Sequence, residues 1–291
     1  MAQLSFLDNQ QPRPIVNVAT VPQRSPFRYP GGKTWLVPQL RRWLASLPAK
    51  PAEFIEPFAG GAIASLTVAF ERLAERATLV ELDHEVAAVW QTIISGDAHT
   101  LAAQIAGFHV SAESVAAALD VPATTTLDRA FQTILKNRVN RGGILAPGAG
   151  RIKHGENGKG MASRWYPQTL KQRILDIASV RDRLRFFEGD GFAVLADAAD
   201  HDAVFFIDPP YTAGGKRAGN RLYAHYELDH EALFRLAAAV KGDFLMTYDN
   251  AGELYELARA YNFDTELIAM KNTHHAAMTE LLIGRNLDWA R

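Results

Sequence analysis

The 291-residue chain contains no cysteine. That excludes disulfides, thiolate zinc sites, iron–sulfur clusters and a thiol nucleophile. No run reaches the roughly eighteen uninterrupted apolar residues that a membrane-crossing helix needs. The N-terminal stretch MAQLSFLDNQQPRP lacks the basic start and apolar core of a secretory signal, so a cytoplasmic protein is expected. Net charge is also scarce, at -1 overall. That near-neutrality hides an asymmetry. Residues 136–185 hold twelve Lys/Arg against three Asp/Glu, while the rest of the chain carries nineteen basic and twenty-nine acidic residues. A basic segment inside an acidic protein suggests a face for a polyanion.

What is present is an alternation of strands and helices. Residues 1–26 are polar, contain several prolines and read as a flexible tail. TWLVPQLRRWLASL has helical spacing. EFIEPFAGG reads as a strand ending in a glycine turn, and AIASLTVAFERLAER as the helix after it. ATLVELD and HEVAAVWQTII repeat the pattern. It blurs from about Gly107. LDRAFQTILKNRVNRGG and KQRILDIASVRDRL read as helices around a glycine-rich stretch, ILAPGAGRIKHGENGKGMASRWYP. Strands return at RFFEGD, AVFFID, DFLMTYD, TELIAM and TELLIGR, with helices near 229–241 and 252–261. This order predicts a mostly parallel α/β sheet with right-handed crossovers. The sheet domain covers 27–106 and 180–291, and a basic helix-and-loop insertion covers 107–179.

Open α/β sheets bind ligands beyond the carboxyl ends of their strands. Two motifs fall there. In Glu56-Pro57-Phe58-Ala59-Gly60-Gly61 the glycines allow close approach to the backbone, and a helix N-terminus follows. Glu81 ends the next strand, where a carboxylate can accept hydrogen bonds from ribose hydroxyls. YPGGKT looks like the end of a phosphate loop, but Phe27 stands where that motif needs glycine and no strand leads in. The second motif is VFFIDPPY. Asp208 supplies an acceptor, Pro209 and Pro210 remove backbone donors and fix φ, and Tyr211 offers a flat face for stacking. Adjacent acceptors below an aromatic surface suit the amino group of a planar base.

With those residues in view, the chain over roughly 27–291 resembles the Dam-like DNA adenine-N6 methyltransferases, which use S-adenosylmethionine. FRYPGGK resembles the family's N-terminal cofactor motif, FIEPFAGGAIASL its glycine motif and LVELD its ribose-binding strand end. FFEGDGF is similar to the segment around the cofactor adenine, and FFIDPPY to the catalytic motif. The order of glycine motif, recognition insertion and catalytic motif is also that group's. The resemblance implies a Rossmann-like methyltransferase sheet of seven strands with an inserted DNA-recognition domain. It implies Tyr29, Lys33, Glu81 and Asp208 as cofactor contacts, beside the Glu56, Pro57, Phe58 and Gly60 turn, with Asp190 and Phe192 around the adenine ring. Asp208, Pro209, Pro210 and Tyr211 would then hold an adenine flipped out of DNA, with no metal and no covalent enzyme intermediate. Two departures stand out. Glu81 occupies a position that is often Asp, and Gly142-Gly143 follows Asn137-Arg138 where the family often has Asn-Gly. The target sequence is therefore open, and low sequence specificity is one reading.

Arg138, Arg141, Arg151, Lys153, Lys159 and Arg164 are the candidate phosphate contacts in the insertion. Lys216 and Arg217 are candidates in a second basic segment, 212–222, expected to order over bound DNA. Trp165-Tyr166 either stacks on nucleic acid or anchors its loop. The scattered histidines lack metal-ligand spacing. Gln3-Leu4-Ser5-Phe6-Leu7 resembles the peptides with which bacterial DNA enzymes dock on the sliding clamp, by filling an apolar groove.

Overall fold

A computed structural model describes residues 20–28, 31–155, 158–210, 228–271 and 277–291. The alternating pattern folds as one seven-stranded sheet in the order β3-β2-β1-β4-β5-β7-β6. The strands are β1 (Glu53–Glu56), β2 (Arg76–Glu81), β3 (Leu184–Glu188), β4 (Ala203–Ile207), β5 (Phe244–Asp249), β6 (Asp264–Lys271) and β7 (Ala277–Gly284). β3, β2, β1, β4 and β5 run parallel, whereas β7 is antiparallel to both β5 and β6. The expected α/β, mostly parallel, Rossmann-like sheet of seven strands is what the chain forms.

Period-two burial explains the two faces. Phe54, Leu79, Phe206, Leu245 and Leu282 belong to one apolar cluster, and Ile55, Phe205, Ile207, Met246 and Ile283 to another. All five residues of β4 are buried. Side chains the size of Phe205 and Phe206 contribute roughly 2–3 kcal/mol each when fully buried. Helices cover both faces. On the first side lie α1 (Val37–Ser46), α2 (Ile63–Glu71), α3 (His84–Ser95), α4 (Ala98–Gly107), α6 (Thr126–Val139) and α7 (Pro167–Ser179), with α5 (Ala112–Asp120) packed on α6. On the other lie α8 (Gly191–Asp197), α9 (His230–Ala239) and α10 (Gly252–Ala260).

Two expectations about organisation change. Described residues of the 107–179 segment pack into the core of the sheet. Phe131, Ile134, Leu135, Leu170, Ile174 and Ile177 join the same cluster as the sheet residues, so α6 and α7 extend one helical layer. Of the expected tail, residues 20–26 are described, and some of them pack on the domain, as does Phe27 just beyond. Val21 is buried with Val37 and Ile63, Phe27 packs on Trp90, and Arg24 donates to Glu71 at 3.0 Å. No helix among the described residues is long and apolar enough to cross a membrane.

The chain builds outward from β1 to β2 to β3, then returns to place β4 on the other side of β1. That reversal is a topological switch point, where crossovers diverge and leave a crevice at the carboxyl edge. Glu56 ends β1 and Asp208 directly follows β4, so both stand at this crevice.

Candidate active site

The turn after β1 is built by backbone geometry. Gly60 and Ala62 adopt positive φ, 46° and 51°. The turn is tied down from three sides. Ala59 N–H donates to the Val80 carbonyl at 2.9 Å, and the Trp90 indole donates to the Gly60 carbonyl at 2.9 Å. Gly60 N–H donates to Glu81 Oε2 at 2.8 Å, while Asp83 N–H donates to Oε1 at 2.9 Å. Glu81 thus connects the ends of β1 and β2. Beneath it Glu56 is buried and accepts the Ser65 N–H at 2.9 Å.

These two carboxyls are electrostatically unusual. Burial pushes Glu56 up to about 8, with the nearby charges of Asp208 and Glu81 adding to the shift. Burial pushes Glu81 up to about 7, with Asp83 adding to it. Desolvation disfavours the charged form of both carboxyls, and the backbone hydrogen bonds only partly offset it.

The third wall comes from α8. Asp190 caps it, accepting the Phe192 N–H at 3.0 Å. The Phe192 ring meets Phe58 edge-on, with centroids 6.0 Å apart. Gly191 sits between them, and a Cβ there would lie 2.4 Å from the Pro57 carbonyl oxygen. The helix start is therefore pressed against the glycine turn at a point only glycine allows. FFEGDGF carries this signal in its second glycine, which sequence reasoning passed over.

Asp208 is held differently. Thr247 Oγ1 donates to its Oδ1 at 2.8 Å, and Lys33 Nζ lies 3.0 Å from the same oxygen. Lys33 is only 4 % exposed. Its Nζ also lies 2.9 Å from Glu280 Oε1 and donates to the Gly31 carbonyl at 3.0 Å. Burial alone would lower the lysine pKa, but Asp208 and Glu280 outweigh it and raise the value, so the ammonium stays charged. Within β5, Tyr248 is fully buried and its hydroxyl lies 3.2 Å from His230 Nδ1. Thr247 and Glu280 are further site residues that sequence reasoning missed. A glutamate inside the apolar strand TELLIGR was the available sign.

Glu56, Glu81, Asp190, Asp208 and Lys33 are thus distributed along one carboxyl edge, with Pro57, Phe58, Gly60, Phe192, Pro209 and Pro210 between them. Tyr29, Tyr211, Lys216 and Arg217 lie outside the described residues, as do 3–7 and 212–222.

The candidate phosphate contacts divide. Arg138 is a correction to the exposed set. It is 4 % exposed, and its guanidinium donates to the Pro26 carbonyl. Burial, then the charges of Arg173 and Arg28, pull its pKa down. Beside it Asn137 clips two segments together, accepting the Arg28 N–H at 2.8 Å and donating to the Arg28 and Gly143 carbonyls. Gly143 needs to be glycine, because φ is 78° and a Cβ would lie 2.1 Å from the Arg28 carbonyl oxygen. Arg141 and Arg151 are bonded within the insertion, Arg141 Nε to the Arg151 carbonyl and Arg151 Nη1 to Asn140 Oδ1. Lys153 and Lys159 are exposed and Arg164 is half-buried. Trp165 proves to be an anchor. It is buried, donates to the Phe108 carbonyl at 3.1 Å and packs edge-on against that ring, whereas Tyr166 is exposed.

No family model and no curated protein matches the chain. Among solved structures it is similar to a provisionally assigned RNA methyltransferase of Pyrococcus horikoshii, with 10% identity over 89% of this chain and 84% of that one and a TM-score of 0.41. It is also similar to the rRNA methyltransferase AviRa of Streptomyces viridochromogenes, with 14% identity, 89% and 87% coverage and a TM-score of 0.40. A provisionally assigned methyltransferase of Escherichia coli, YhhF, gives 13% identity, 90% of each chain and 0.38.

Proposed function

We propose that this protein is an S-adenosylmethionine-dependent methyltransferase acting on N6 of a flipped adenine in DNA. The observation that carries the reading is the setting of Asp208. It stands at the switch point, Lys33 and Thr247 meet one of its oxygens, and two prolines follow it.

The cofactor fits the described residues. Glu56 and Glu81 are raised carboxyls that a cationic ligand would compensate. Glu81 can accept ribose hydroxyls with lone pairs left over from its backbone donors. Phe58 and Phe192 supply apolar surface for a planar base. When bound, S-adenosylmethionine supplies a methyl group already activated on a sulfonium.

The remaining work belongs to the chain. The adenine must leave the duplex stack, at a cost of roughly a few kcal/mol. Tyr211 stacks on the flipped ring and offsets part of that cost. The lone pair of N6 is delocalised into the ring. Hydrogen bonds from its two protons to the Asp208 carboxylate and the Pro209 carbonyl draw the nitrogen toward a tetrahedral geometry. They also stabilise positive charge as it develops there. Correct alignment for in-line attack supplies much of the rest. Lys153, Lys159 and Arg164, with Lys216 and Arg217, contact phosphates of the same DNA. The Gln3–Leu7 peptide docks on the sliding clamp.

The test is to incubate the protein with S-adenosylmethionine and a defined plasmid, with RNA and protein substrates in parallel, and to map modified adenines at base resolution. N6-methyladenine in the plasmid alone is the expected result, in one motif for a specific enzyme or in every context for a nonspecific one. Methylation confined to RNA or protein would overturn the substrate.

A further inference from the structure

We infer that Glu280 is a positioning residue, which acts through Lys33 to fix the Asp208 carboxylate and to keep that end of the site negatively charged. The inference rests on the methyl-transfer reading above, in which Glu280 has no part.

The sheet order brings it there. β7 enters antiparallel beside β5, and Glu280 pairs in register with Asp249, the last residue of β5. An antiparallel strand thereby delivers a side chain from its middle to the edge where the parallel strands end. Glu280 is 4 % exposed, and a carboxylate so placed needs a partner of opposite charge. Lys33 is that partner at 2.9 Å.

Lys33 is equally enclosed, and its ammonium lies within reach of the Gly31 carbonyl, Asp208 Oδ1 and Glu280 Oε1. The ammonium is therefore held from three directions. Its position sets that of Asp208 Oδ1, which Thr247 meets from β5. Charge follows the same geometry. Lys33 and Asp208 alone would form a neutral pair, a weak acceptor for an amine that is becoming positive. Glu280 adds a second carboxylate to the pair, so Asp208 keeps more of its pull on the N6 protons.

The test compares the full-length wild type with Glu280→Gln and Glu280→Asp. The measurements are the single-turnover methyl-transfer rate at saturating cofactor and DNA, the cofactor Kd by calorimetry, and thermal melting. Glu280→Gln should slow the transfer step at least about tenfold, the scale of one weakened charge-assisted contact, and leave the cofactor Kd within about threefold. Glu280→Asp should retain more rate than Glu280→Gln, because charge matters here more than shape. A packing role predicts the reverse order, since Gln is the closer match in shape. In a Lys33→Met background, adding Glu280→Gln should change the rate by less than about twofold, because the effect passes through Lys33. Wild-type rate in Glu280→Gln, the reverse order of the two variants, or the same fold loss with and without Lys33 would each overturn the assignment. If Glu280→Gln does not fold, Glu280→Asp is compared in the wild-type and Lys33→Met backgrounds, and a rate loss of the same size in both would overturn the assignment. A wild type that transfers no methyl to DNA would sink the functional reading itself, a separate result from an active wild type indifferent to Glu280.

Discussion

The carboxyl edge of the sheet treats its acids in two ways. At the ends of β1 and β2, Glu56 and Glu81 are met by backbone N–H groups, and both are pushed up by burial. One strand further on, Asp208 is met by an ammonium and a hydroxyl from side chains. The first half is electrostatically unfinished and suits a ligand that brings positive charge. The second half already holds its ammonium and is fixed in geometry, which suits a group whose task is to aim. On the methyl-transfer reading, binding and chemistry are thereby separated along a single edge.

The sharpest way to break this division is at Asp208. Asp208→Ala should lower methyl transfer by about a hundredfold to a thousandfold, in line with the loss of a group that stabilises developing charge. Lys33 would retain Glu280, so the fold should survive. Measuring turnover and cofactor affinity in the same variant checks it. Wild-type turnover would remove Asp208 from the mechanism. The complementary change, Glu81→Ala, should act on the other half. We expect a weaker cofactor Kd, by about tenfold to a hundredfold, through loss of two backbone tethers and the ribose acceptor. Turnover at saturating cofactor should fall much less. Equal losses of Kd and turnover in both variants would show that the two halves are not separate.

Gly191→Ala tests the join between the halves of the cofactor wall. Its Cβ would meet the Pro57 carbonyl oxygen at 2.4 Å, too close without backbone movement. Overpacking of this kind costs about 1–3 kcal/mol. The melting temperature should drop, and cofactor affinity should weaken as α8 is pushed off the glycine turn. An unchanged melting temperature would mean that the helix start has room to shift.

The division was partly legible in the sequence. Glu56, Gly60, Glu81 and Asp208 could be placed because each sits at the end of an apolar strand, where chain order alone fixes position. Lys33 could be marked from its motif, but its two carboxylate partners lie far along the chain on β4 and β7. Glu280 was hidden because its place at the edge depends on β7 running antiparallel beside β5, a pairing that period-two burial does not encode. Gly191 and Gly143 were hidden for a related reason. Each is required by a close approach to a distant segment, Pro57 in one case and Arg28 in the other. Arg138 misled in the opposite direction, because charge counts by segment register basicity and not burial.

The response to pH tests the unfinished half most directly. A carboxyl whose folded pKa lies above its unfolded value holds its proton more tightly when folded. Its contribution to stability is fully present below the unfolded value, near 4.5, and is lost as pH rises through about 7 for Glu81 and about 8 for Glu56. The cofactor-free protein should therefore lose stability between about pH 5 and pH 8, by at most about 1.4 kcal/mol per pH unit for each group. Cofactor affinity should move the opposite way over the upper part of that range, because the ionised carboxylates are the form that attracts a cation. Denaturant midpoints and calorimetric Kd values at pH 6, 7 and 8 would show both trends. Glu56→Gln should flatten the stability curve toward pH 8, since its amide has no proton to lose. Asp208→Ala should leave most of the slope in place, because the titrating groups sit in the other half of the edge. A slope that disappears with Asp208→Ala and persists in Glu56→Gln would reverse the assignment of the two halves.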